Sequence, residues 1–297
     1  MNSNHHTKNN QLKSMNQRSG RARIAEETLA ILKEGQYVNE YDRRVSIDED
    51  VKQAIESSVL YRPSELPALR EQVRQLQATS EFTTAKMEVT GETTLAAASR
   101  LVVDEGRTDV VCLNFASAKN PGGGFLGGSQ AQEESLARAT GLYPCISPMN
   151  EMYDYNRKLR TCLYSDYMIY SPGVPVIRDD EDRLLPQYYT SAFITAPAVN
   201  AGVVRERGQA DEQQIESVMK ERIRYILDVA AVNGHRTLVL GAYGCGVFRN
   251  DPADVARYFH EVLVQENFMQ SFERIVFAVL DRSTGQRTIK AFQERLV

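Results

Sequence analysis

The chain carries no surplus of positive charge: 35 Lys and Arg stand against 39 Asp and Glu among 297 residues, a formal net charge of −4. A field of that sign does not gather nucleic acid or anionic lipid through phosphate contacts, so neither is expected as a partner. Long hydrophobic runs are missing too. The apolar stretches stop short of the roughly 18 residues that mark a membrane helix, and the Asn-, Lys- and His-rich N-terminus has no apolar core of the kind that directs secretion. Cysteine and histidine are scarce, at four each. Cys112, Cys145, Cys162 and Cys245 form no C-x-x-C pair, and His5, His6, His235 and His260 form no H-E-x-x-H or comparable cluster. These spacings offer no ligand set, so neither a metal nor a cofactor is expected. Cys112 and Cys245, in or beside apolar strands, read as small buried residues in a reducing compartment. The expectation is a soluble, cytoplasmic protein.

What is present is ordinary globular composition, 42% hydrophobic and 25% charged, enough for one large domain with an accessory element. Residues 1–20 are polar, with only Met1, Leu12 and Met15 as large apolar side chains; they are expected to stay disordered. Residues 21–80 show helical periodicity in three segments: Ile24, Leu29, Ile31 and Leu32; Val51, Ile55 and Val59; and Leu66, Leu69, Val73 and Leu76. This is read as a helical accessory segment. Residues 81–297 alternate strands with helices, including strands at 86–89, 109–114, 167–170, 174–177, 192–195, 236–240 and 274–280. Such interleaving predicts an α/β fold with a mixed, largely parallel sheet between helical layers. Ligands of such sheets bind where strands end, which singles out the loops after Asn114 and Leu240.

The first of these loops runs Asn114-Phe-Ala-Ser-Ala-Lys-Asn120-Pro-Gly122-Gly-Gly124 and, seven residues on, reaches Gln132-Glu133-Glu134. Three consecutive glycines remove every side chain from one stretch, so a phosphate or ribose can approach backbone amides. Ser129 and Gln132 have capping-box spacing, which predicts a helix from Gln130 with both glutamates in its first turns. Acidic residues there are commonplace as partners of the helix dipole. Their coupling to the glycine triplet at a strand exit is what points to chemistry. The second loop, Gly241-Ala-Tyr-Gly244-Cys245-Gly246-Val247-Phe248, enters a helix near Pro252. It is neither a Walker A loop nor a dinucleotide fingerprint, and the two loops together suit a diphosphate held from both sides. At Gly246 a Cβ is expected to clash with such a ligand or to penalise a positive φ.

The triplet followed by Gln132-Glu133-Glu134 resembles the signature of poly(ADP-ribose) glycohydrolases, in particular the compact bacterial type. Gly241–Phe248 is similar to that family's second phosphate loop, Ala196–Asn200 to the strand-end segment between, and Ile24–Thr28 with Gly35–Tyr37 to its helical segment. The resemblance implies a three-layer α/β/α macrodomain that cleaves the ribose–ribose O-glycosidic bond of poly(ADP-ribose) and releases ADP-ribose. It implies Glu134 as general acid/base and Glu133 as a holder of ribose hydroxyls. Asn120, Gly122, Gly123, Gly124, Gln132, Gly244, Cys245, Gly246, Val247 and Phe248 are implied as ADP-ribose contacts. An ADP-ribose-binding macrodomain or a mono-ADP-ribosyl hydrolase is the alternative, and the adenine pocket stays open between the loops after Val89 and after Ala198.

Overall fold

The computed structural model describes residues 3–78 and 85–297, and the side chains of all of these but 3–15. The expected boundary near residue 80 lies outside the described residues. The elements in chain order are α1 (Ser3–Glu34), β1 (Gln36–Val38), β2 (Arg44–Ser46), α2 (Asp48–Glu56), β3 (Val59–Tyr61), α3 (Leu66–Ala78), β4 (Lys86–Thr90), α4 (Thr94–Ser99), β5 (Val110–Phe115), α5 (Gln132–Ala139), α6 (Leu142–Ile146), α7 (Asn150–Lys158), β6 (Met168–Arg178), β7 (Leu184–Ala196), α8 (Ala201–Glu206), α9 (Glu212–Val232), β8 (Thr237–Leu240), α10 (Pro252–His260), β9 (Arg274–Ala278) and α11 (Arg287–Leu296).

Among the described residues seven strands form one sheet in the order β3-β6-β7-β5-β8-β9-β4. The pairs β7-β5, β5-β8, β8-β9 and β9-β4 are parallel, while β3-β6 and β6-β7 are antiparallel. Successive side chains of a strand face opposite ways, and β5 shows why its run is apolar throughout. Val111 and Leu113 enter one core with Ile215, Met219 and Ile223 of α9 and Val255 and Phe259 of α10. Val110 and Cys112 enter another with Leu95 of α4, Leu136 of α5 and Ile146 of α6. Both faces of the sheet are thus covered by helices, giving the three layers anticipated.

Local signals account for the element ends. Asp211 and Gln214 form a reciprocal capping box at the start of α9, and Asp251 caps α10 with Pro252 at its first position. Gly234, after α9, turns the chain at φ +78°, a conformation that costs a residue without a Cβ little.

Three expectations need correction. Residues 3–20 are not without order: they are the first turns of α1. Extending a helix already anchored by Leu29 and Leu32 is far easier than nucleating one, and Arg18 and Arg21 add docking bonds described below. The segment 21–80 is not only helical, since it contributes the β1-β2 hairpin and β3, an edge strand of the main sheet. Val59, assigned by periodicity to a helix with Val51 and Ile55, pairs with Tyr170 in β3-β6. Finally, the two short strands expected around Pro172-Gly173 are one strand, β6, interrupted by a bulge between Ser171 and Val174; Gly173 has φ +59°. No helix among the described residues is long and apolar enough to cross a membrane.

Candidate active site

Strands β5 and β8 are parallel neighbours, and the loops that leave them wall a cleft of about 830 Å³. Gln132 sets the first wall. Its Oε1 accepts the Phe115 amide at 2.9 Å, while its Nε2 donates to the Leu113 carbonyl at 2.8 Å and to Thr94 Oγ1 at 3.1 Å. These three bonds fasten the start of α5 to the end of β5, and they correct the expected capping box. With its amide committed to the strand, Gln132 cannot reach back to Ser129. The helix instead begins at Gln132 after an extended Ala131, with no side-chain cap, and Ser129 packs beside Gly124.

Glu133 and Glu134 point to different surroundings, as successive helical residues must. Glu133 is 3% exposed. Its Oε2 accepts the Ser117 amide at 2.7 Å, and its Oε1 lies 3.4 Å from the Asn114 amide nitrogen, which donates. Burial pushes its carboxyl up to about 8, with the Glu134 charge adding to the rise and the Ser117 and Asn114 donors opposing it. Glu134 is only half-buried, and its Oε1 accepts the Gly124 amide at 3.0 Å.

Gly123 is where the two carboxylates converge. A Cβ there would stand 2.5 Å from Glu134 Oε1 and 3.2 Å from Glu133 Oε2, at a φ of +59°. Gly124 also lines the cleft, as does Asn120, whose carbonyl accepts the Gly123 amide. Gly122 does not line it. It is buried behind the loop, where a Cβ would meet the Phe125 and Tyr143 rings, so its bareness serves packing rather than ligand approach. The far side of the loop rests on α1: Arg18 Nε donates to the Gly127 carbonyl and Arg21 Nε to that of Gly128, each at 2.8 Å.

The second wall holds Gly244, Cys245, Gly246, Val247 and Phe248, all of which line the cleft. The glycine it requires is Gly244, at φ +73°, where a Cβ would fall 2.6 Å from both Ala198 Cβ and Asn250 Nδ2. Of the two reasons expected for Gly246, a positive φ is not one, since its φ is not in that region and a Cβ there would meet open space, which leaves only the approach of a ligand; the turn is tightened at Gly244 by Asn250, whose Nδ2 donates to the Gly244 and Val199 carbonyls. Burial raises the Cys245 thiol. Val247 is 79% exposed at the rim, and the half-buried Phe248 ring packs on Tyr164, centroids 5.9 Å apart.

Several cleft residues carried no sequence signal. Thr93, the cap of α4, donates to Asp180 at the β6-β7 turn, and Arg138, 2% exposed, joins the Ser129 carbonyl to Gln130 and Asp182. They meet only because the β6-β7 hairpin folds over the start of α5, which no local spacing encodes. Of the two segments held open for the adenine, Glu92–Leu95 after β4 lines the cleft, whereas at the other Ala198 does so but not the loop that follows it. Among the described residues no three His, Cys, Asp or Glu side chains gather as a metal site would require.

Comparison with known proteins agrees with this geometry. Residues 25–179 match the family of the microbial-type PARG catalytic domain. A poly(ADP-ribose) glycohydrolase from Thermomonospora curvata is 44% identical, covers 94% of this chain and 100% of its own, and superposes with a TM-score of 0.88. The same enzyme bound to the inhibitor ADP-HPD gives 0.86 at 44% identity and the same coverage. The Deinococcus radiodurans enzyme in complex with ADP-ribose is 43% identical over 83% of this chain and 96% of its own, with a TM-score of 0.77. No curated protein matches the chain. With a family match over more than half its length and these structural neighbours over most of it, the chain belongs to the microbial-type poly(ADP-ribose) glycohydrolase family.

Proposed function

We propose that the chain hydrolyses the ribose–ribose O-glycosidic bonds of poly(ADP-ribose), with Glu134 as the general acid/base. The observation that carries this reading is the convergence of Glu133 and Glu134 on Gly123. A glycosidic bond breaks through an oxocarbenium-like transition state, which requires a proton on the departing oxygen and negative charge near the ring. Glu134, tied through Oε1 to the Gly124 amide, delivers the proton as the bond between the anomeric carbon and oxygen breaks. It then takes a proton from the water that attacks the cation, regaining its starting state. Glu133, held in place by the Ser117 amide, orients hydroxyls of the same ribose. A reader domain that only binds ADP-ribose has no use for two carboxylates at one backbone position.

The remaining assignments follow the two walls. Gly123 and Gly124 let the backbone approach ribose and diphosphate, Gly244–Val247 close over the diphosphate, and Phe248 packs on the ribose, with Asn120 at its edge. Gln132, which lines the cleft, contacts the ligand as well as fastening the loop, while Gly122 acts one layer further out, as a support of the loop. We place the enzyme in the cytoplasm, in keeping with its four unpaired cysteines. Incubation with automodified polymer tests the reading. Free ADP-ribose must accumulate with the wild-type protein and not with Glu134→Gln; polymer left intact by the wild-type protein would overturn it.

A further inference from the structure

The loop between α7 and β6 holds a tyrosine in an unusual state. Tyr164 has φ +58°, a left-handed conformation that L residues with a Cβ rarely adopt and that is costly for a bulky side chain. A buried cation holds the segment there. Arg222, wholly buried on α9, donates to the carbonyls of Leu163 at 3.0 Å, Pro197 at 3.1 Å and Tyr164 at 3.3 Å, and to Asp166 Oδ1 at 2.9 Å. Four bonds from a single guanidinium fix two stretches of chain, 163–166 and the one at Pro197, relative to α9. Breaking such a cluster would strand a buried charge.

The result of this clamp is a ring placed between the two glycine loops. On one side Tyr164 meets Phe248 of the second loop, at 5.9 Å between centroids and 47° between planes. On the other, Lys119 Nζ of the first loop stands 6.0 Å from the same ring's centroid, within reach of a cation–π attraction. Phe248 is further tied from behind, its carbonyl accepting the Gly202 amide at 3.0 Å.

We propose that Tyr164 is a positioning residue for the hydrolysis: its ring spaces the two loops and fixes the Phe248 plate that holds the scissile ribose against Glu134. This rests on the glycohydrolase reading above and deepens it. Backbone strain kept in place by a buried guanidinium, at a residue touching both ligand loops, is the pattern of a group held for geometry rather than for fold. A side chain that merely filled space there could do so with an unstrained backbone.

Tyr164→Gly tests this cleanly, because glycine takes the left-handed conformation freely and the backbone is spared while the ring is lost. Tyr164→Asn, which also tolerates that conformation, is the second variant should the glycine loosen the loop. Both should lower kcat on polymer about tenfold or more, in line with the roughly 10²-fold that small misplacements can cost. ADP-ribose affinity and melting temperature should change little, and Tyr164→Phe should recover most of the turnover. Combined with Phe248→Leu, the losses should be non-additive, because the two residues act through one contact. Full kcat in both ring-less variants, or strict additivity with Phe248→Leu, would overturn the proposal. Inactive wild-type protein would instead overturn the glycohydrolase reading itself.

Discussion

Glu134 Oε1 accepts the amide of Gly124 at 3.0 Å, so the carboxylate proposed to move the proton is held by the backbone of the loop proposed to receive the substrate. Glu134→Gln keeps an oxygen for that amide and the same side-chain volume, but removes the transferable proton. Turnover of polymer should fall by roughly 10²–10⁴-fold, the usual weight of general acid–base catalysis, while ADP-ribose affinity measured by calorimetry holds. Near-full turnover in this variant would remove Glu134 from the role.

Gly123→Ala should disable the site by a different route. The new Cβ falls on Glu134 Oε1 and close to Glu133 Oε2, and the left-handed backbone costs a residue with a Cβ about 1–2 kcal/mol. Both carboxylates must move, so turnover should drop by about 10²-fold with a modest loss of melting temperature. Unchanged turnover would show that the carboxylates can relax without harm.

Glu133 gives the protein a stability that depends on pH in a defined direction. Its folded-state value, lifted to about 8 by burial, lies above that of the unfolded chain. The folded protein therefore binds this proton more tightly, and stability falls as pH rises from the ordinary carboxylate range through about 8, where the cost becomes complete. Melting curves from about pH 5 to about pH 9 should show a steeper decline for the wild type than for Glu133→Gln, which cannot ionise. Parallel declines would contradict the buried-carboxyl picture.

The two glycines of the second loop should separate stability from binding. Gly244→Ala meets Ala198 and Asn250 at once and should lower the melting temperature. Gly246→Val points into open space, so folding should survive, while ADP-ribose bound against that backbone should lose about tenfold or more in affinity, or ~1.4 kcal/mol. Wild-type affinity in Gly246→Val would put the ligand elsewhere.

Residues 21–80 are proposed to be part of the folded unit rather than an appendage. A chain begun at Glu81 would lose β3 and leave the β6 edge from Met168 to Tyr170 unpaired, an invitation to strand addition. It should aggregate, as light scattering would register; a soluble, active product would refute this.

How much of this was legible beforehand depended on how local the signal was. The glycine triplet, the Gln132-Glu133-Glu134 run and the loop at Gly244 were readable because each is one short stretch at a strand end. The role of Gln132 was misread because capping spacing is a local rule, whereas its partners Phe115, Leu113 and Thr94 come from elsewhere in the fold. Helical periodicity could not tell that Val59 is a strand residue, since three residues are too few to show a period. Tyr164 was invisible for a related reason: its significance lies in Arg222, Phe248 and Lys119, which no spacing rule connects to it.

The edge strand β4 has consequences for how the protein is made. Among the described residues its sheet neighbour is β9 alone, with Lys86 opposite Arg274 and Thr90 opposite Ala278. A nascent chain must therefore carry β4 unpaired while almost everything else is synthesised. Pairings so distant in sequence form slowly, because the entropy of closing the intervening loop comes due before the contact rewards it. The stretch that leads from β4 into Glu92–Leu95 at the cleft is thus among the last to settle. A ribosome-bound chain that has not yet released residues 274–278 would hold both glycine loops and both glutamates, yet lack the finished wall at Glu92 and Thr93, so ligand capture would mark the end of folding.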